Sequence, residues 1–232
     1  MTSRPIQQLR LLPLLLGAFA AVMAPIPAHA HLVNTGLGPV YDGISHVLLS
    51  PEDLIPLLAM ALLAGLNGTA AARQSLFGLT GAWFAGALAG QLAGQYVPVS
   101  ALAGTLSFLA LGILIAADRR LSPAVVTSIA AIIGLMHGWL NGPGLAQSGH
   151  AALVLAGIVS AVFAIEAIAA PTVISIQATP ARIALRVAGS WIAAIGRGRM
   201  KTCTDEKMVE SFSSLTRGWN SVGRLIGSYQ AF

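Results

Sequence analysis

His31-Leu-Val-Asn-Thr-Gly-Leu-Gly-Pro-Val-Tyr-Asp42-Gly-Ile-Ser-His46, running on into Val-Leu-Leu-Ser-Pro-Glu-Asp53, is the stretch from which the rest of the chain is read. It places two histidines and an aspartate within sixteen positions, and from there to Gly196 nearly everything is apolar. Asp42 and His46 are four residues apart, so on a helix they share one face and can grip one ion. The segment from about Val40 to Leu49 is too short to cross ~30 Å of hydrocarbon. It reads as a short helix at the outer surface, or one dipping in as a re-entrant segment. Ser50-Pro51-Glu52-Asp53 then reads as a helix start, with a capping serine, proline in the first turn and acids near the positive dipole end.

Composition sets the class. The 232 residues are 56% hydrophobic and only 9% charged, against about 25% charged in soluble domains. With a mean hydropathy of +0.77, only an integral membrane protein fits. The net charge of +5 does not indicate nucleic acid, because the basic excess sits at the two ends of the chain. Cys203 is the single cysteine, so one chain has neither a disulfide nor a thiolate metal site.

Upstream, residues 1–30 have the form of a secretory signal. Arg4 and Arg10 precede an apolar run from Leu11 to Met23, and Ala28-His29-Ala30 offers a small-x-small cleavage site. Cleavage there makes His31 the mature N-terminus, outside. Downstream, residues 31–196 read as one polytopic all-α domain of about six crossings: Leu54–Ala72, Leu76–Val97, Ala101–Ala117, Pro123–Leu140, Ala151–Ala170 and Ile183–Gly196. Counting from an outer His31 puts Arg73, Asp118-Arg119-Arg120 and Arg182 on the cytoplasmic side, as the positive-inside rule asks. Residues 197–232 form a polar tail with six of the thirteen basic residues. It falls outside on this count, against that rule, and is assigned no function. Gly86, Gly90, Gly94 and Gly134, Gly138, Gly142 recur every fourth position, a spacing that lets helix backbones approach. Such stripes serve packing within the chain and are also the natural seam for a homo-oligomer.

Polar residues inside a membrane are costly and mark function by default. His46, His137, His150 and His31 all fall on the outer side, with Asn141, Gln91 and Gln95 near them. Asp42, His46 and His137 are the expected metal ligands, and a cleaved His31 adds an imidazole and an α-amino group. Glu166 and Asn67 lie deeper, towards the inside. A lone carboxylate at the depth of Glu166 can carry a proton, meet a departing cation or pair with Arg182 or Arg186. Imidazole with carboxylate suits divalent nickel, cobalt or zinc, and the absence of thiolates disfavours copper(I). No phosphate-binding loop, Gly-x-Ser-x-Gly or His-Glu-x-x-His motif occurs, so neither ATP hydrolysis nor a recognisable enzyme is indicated.

His29-Ala-His31, Gly-Pro-Val-Tyr-Asp42-Gly-Ile-Ser-His46, Ser-Pro-Glu-Asp53 and Gly-Leu-Met-His137-Gly-Trp-Leu-Asn141 together resemble the HupE/UreJ family of bacterial membrane proteins. That family comprises proposed nickel or cobalt permeases associated with hydrogenase and urease. The likeness runs from about His29 to Gly196. The better known branch carries adjacent Asp and His in His-Pro-x-x-Gly-x-Asp-His. Here three residues separate Asp42 from His46, which is similar to a second, divergent branch. The resemblance implies ligand roles for Asp42, His46 and His137. It also implies residence in the inner membrane, with the lipid bilayer and a divalent metal ion as partners. The transported metal is cargo, and no permanently bound cofactor is expected. Uptake of that ion is the leading reading, and a non-transporting accessory that binds metal at its outer face is the alternative.

Overall fold

The computed structural model describes residues 35–93, 101–176 and 178–200. The leader, His31, Gln95 and the tail beyond residue 200 lie outside the described residues. The described chain is all helix: α1 Pro39–Leu49, α2 Pro51–Leu66, α3 Thr69–Ala93, α4 Ala101–Ala117, α5 Pro123–Gln147, α6 Ala151–Ser175, and α7 over residues 179–200. By length and hydropathy three of these, α3, α5 and α6, can cross a membrane, and α1 with α2 makes a fourth if the bent pair counts as one span.

Proline at the first turn starts α1, α2 and α5, where its missing N–H costs nothing and its fixed φ favours the helix. At α5 Ser122 completes the start, its Oγ accepting from Val125 N at 3.3 Å. The axis bends by 73° between α1 and α2, and Ser50 is the corner. The expected short segment before the first crossing is therefore present as a helix. A side chain at Gly43 would overlap the Val154 carbonyl, and one at Gly157 the Val40 carbonyl. These pairings seat α1 directly on the first turns of α6, running the opposite way.

Several helix limits differ from those expected. The first long helix does not run on to Ala72. Gly68 takes φ +97°, which ends α2, and Asn67 caps it by donating from Nδ2 to the Leu63 carbonyl at 2.8 Å. Arg73 is consequently in the second turn of α3. At the other limits, Pro143 and Pro171 do not end their helices; α5 continues to Gln147 and α6 to Ser175. Pro143 leaves the Trp139 carbonyl without its helical donor, and that carbonyl is packed against the bare Cα of Gly90. The expected loop from Asn141 to His150 shrinks to residues 148–150.

The two glycine stripes face each other. Gly86 and Gly90 of α3 lie against the Leu135 and Trp139 carbonyls of α5, while Gly134 and Gly138 lie against those of Leu79 and Trp83. Partners advance in step along both helices, so α3 and α5 run parallel, and the stripes are spent on packing within one chain. Gly112, Gly189 and Gly196 pair α4 with α7 in the opposite sense.

α2 to α7 thus alternate between a corner end, at Ser50, and a turn end, at Asn67-Gly68. The turn end is tied by Asn67 Oδ1, which accepts from Leu121 N at 2.7 Å, and by Arg182 beside Asp118 at 3.7 Å. Arg199 pairs with Glu52 at the corner end, so α7 finishes where α2 begins. Large apolar side chains such as Phe77, Leu92, Ile132 and Ile168 face outward, a surface suited to lipid rather than water.

Candidate functional site

Six polar or charged residues are buried among the described residues: Asp53, Ser75, Thr105, Ser107, His137 and Glu166. Five of them, with His46 and Asn141, make two clusters at different depths; the larger lies towards the corner end.

Asp53 is its hub. It occupies the third position of α2, where the helix dipole favours a carboxylate, and is 5% exposed. Its Oδ1 lies 3.0 Å from Nδ1 of His137, and its Oδ2 3.5 Å from Nε2 of His46. One carboxylate therefore touches both imidazoles. His46 Nε2 is also 3.2 Å from Asn141 Oδ1, one turn beyond His137 on α5. The His137 ring, 1% exposed, stacks on Trp83 with centroids 5.5 Å apart, and its Nε2 lies 3.0 Å from Ser107 Oγ.

Ser107 Oγ donates to the Gly104 carbonyl at 2.6 Å. An N–H at His137 Nδ1 donates to the Asp53 carboxylate. On the other side, His46 Nδ1 and Asn141 Nδ2 are buried and have no partner among the described residues. Unpaired buried polar atoms cost free energy. An imidazole nitrogen in this state can accept a hydrogen bond or bind a metal ion.

His46 and His137 thus come together as expected, but the acid between them is Asp53. Asp42 is turned away to Thr35, whose N–H and hydroxyl both donate to Asp42 Oδ1 at 2.6 Å, and no hydrogen bond or ion pair joins it to the cluster. Asn141 belongs to the cluster. His150 is exposed at the start of α6, and Gln91 meets Gly142 through its backbone. Asn67 spends both ends of its amide on the α2 cap and on Leu121. Among the described residues no three His, Cys, Asp or Glu side chains stand as a ready-made metal shell. The cluster's side chains are bonded to one another, and an ion entering would have to open the His137–Asp53 contact and turn His46.

The smaller cluster is Glu166 on α6 with Ser75 on α3. Ser75 Oγ lies 3.1 Å from Glu166 Oε1, and Glu166 Oε2 is buried without a partner. Neither expected arginine reaches it, since Arg182 pairs with Asp118 and Arg186 donates to the Ala116 carbonyl. Ser75 and Trp83 are eight residues apart on α3, so the clusters are separated by about 12 Å along that helix. Thr80 Oγ1, between them in the same helix, is also buried and unpaired.

Compared with known proteins, the chain matches the family described as HupE / UreJ protein over residues 19–198. No curated protein and no solved structure matches at a significant level.

Proposed function

Since the chain belongs to the HupE / UreJ family, we propose that it takes up a divalent transition-metal ion, nickel or cobalt, by a secondary or facilitated mechanism. The observation that carries this reading is the Asp53 carboxylate bridging two imidazoles, the buried His137 and the partly exposed His46, whose Nδ1 is unpaired. A carboxylate, imidazoles and an amide form a donor set for nickel, cobalt or zinc. It holds without the tightness of thiolate, as suits an ion that has to leave again. Imidazole binds metal only through a deprotonated ring nitrogen, which the unpaired Nδ1 of His46 can supply.

In this proposal α2 to α7 are six crossings of the bacterial inner membrane, preceded by a cleaved signal peptide. Arg73, Asp118-Arg119-Arg120 and Arg182 mark the turn end as cytoplasmic. The corner end, with His46 and Asp53, then faces outward together with the mature N-terminus. Cargo enters by the larger cluster and leaves past Thr80 and Glu166.

The second reading is a membrane accessory that binds metal at its outer face without moving it. Proteoliposomes separate the two. Accumulation of nickel inside vesicles by the wild-type protein, lost with His46→Ala, supports transport. Stoichiometric binding without accumulation supports the accessory.

A further inference from the structure

At the turn end, a cavity of about 430 Å³ opens between α3 and α6, and Thr69, Arg73, Leu76, Glu166, Pro171 and Ile174 line it. Glu166 is 0% exposed, yet only one of its carboxyl oxygens has a partner. Ser75 has a single hydroxyl hydrogen and two acceptors, Glu166 Oε1 at 3.1 Å and the Ala72 carbonyl at 3.0 Å. An ionised Glu166 would hold a full charge in an apolar wall on at most one hydrogen bond, a costly state. A carboxylic acid settles the accounting: Glu166 donates to Ser75 Oγ, and Ser75 donates to the Ala72 carbonyl.

Among the described residues, no charged group other than Arg73 lines the cavity beside Glu166. The charged residues of α2, Glu52 and Asp53, are at its opposite end. Asp42 and His46 of α1 and His137 of α5 lie towards that end too, and Arg182 and Arg186 are engaged on α4. Arg73 is the exception. It is exposed, sits on the wall of the same cavity, and forms no ion pair among the described residues.

We propose that Glu166 and Ser75 form a proton-binding site that gates the turn end, with Arg73 as the partner that takes Glu166 when the proton leaves. In the protonated state the acid is held by Ser75 and the cavity stays open. On deprotonation the proton passes to water in the cavity, and Arg73 swings across to the free Oε2 and bridges the space. The consequence for cargo flux rests on the transport reading, whereas the proton site and its switch do not.

Infrared spectroscopy of the full-length protein in detergent, titrated with alkali and without metal, tests this. The carbonyl stretch of a buried carboxylic acid should be present at neutral pH, absent in Glu166→Gln and shifted in Ser75→Ala, which strips its hydrogen-bond partner. In Arg73→Gln the band should persist to higher pH by about one unit or more, since an opposite charge within reach favours the ionised form by that order. Absence of the band in the wild-type protein, or its survival unchanged in Glu166→Gln, overturns the proton site. A titration identical in wild type and Arg73→Gln overturns the gate. Because no metal or vesicle is involved, a failure of transport leaves both results standing.

Discussion

Replacing Asp53 by Asn separates the two carboxylates that stand near His46. The change keeps the side chain's shape and lets the amide bond His137, so the α1–α2 corner should hold. What it removes is one negative charge, 3.0 Å from one imidazole and 3.5 Å from the other. Two unit charges 4 Å apart attract by about 4 kcal/mol at an effective dielectric of 20, and stripping water from both partners returns part of that. Loss of a residue that orients metal-binding histidines commonly costs 10- to 100-fold in affinity. Asp53→Asn should therefore weaken nickel binding by about 100-fold, or ~2.7 kcal/mol. Asp42→Asn, whose carboxylate is tied to Thr35, should change it by less than about threefold, within the usual range for surface substitutions. Titration calorimetry on the detergent-solubilised proteins measures both. The reversed order, with Asp42→Asn the damaging change, would refute the placement of the metal at Asp53.

Ser107→Ala leaves the buried Nε2 of His137 without a partner and should cost about 1–3 kcal/mol of stability, read by thermal unfolding in detergent. Gly138→Ala sets about 1 kcal/mol of helix propensity against overlap with the Trp83 backbone carbonyl. That carbonyl cannot turn aside, so the unfolding temperature should fall, whereas Gly81→Ala, with open space around it, should raise it. His150→Ala should leave nickel affinity within about twofold, because the side chain is exposed and outside the cluster. Glu166→Gln should likewise spare affinity while changing the rate of uptake, since sites about 10 Å apart or more behave independently.

The parts of this fold that were legible in sequence rest on local chemistry. Proline after a cap residue marked the start of α2, and glycine at every fourth position marked close-packing faces on α3 and α5, which the structure pairs with each other. His46 and His137 were legible as a pair because imidazoles are scarce in so apolar a chain. Asp53 was passed over because acids at the start of a helix have an ordinary explanation. The four-residue rule that pointed to Asp42 holds only within one helix, and the corner at Ser50 brings together residues seven apart on different helices. Ser107 carried no signal, since a serine in an apolar helix commonly bonds its own backbone, as Ser107 also does. The stop at Asn67-Gly68 had a local signal, glycine in a left-handed conformation after the last turn, that was passed over in favour of a longer span. The passage of α5 through Pro143 goes with the packing of Gly90 on the Trp139 carbonyl, which no local pattern announces.

The most direct test is the position of the metal. Crystals of the protein soaked in nickel, with diffraction recorded at the nickel absorption edge, should show one strong anomalous peak between His46 and Asp53. It should lie within about 2.0–2.2 Å of an imidazole nitrogen and a carboxylate oxygen, as imidazole and carboxylate bind a divalent metal, with the His137–Asp53 contact opened. A peak at Asp42 or His150, with His46, Asp53 and His137 still bonded to one another, would contradict the account.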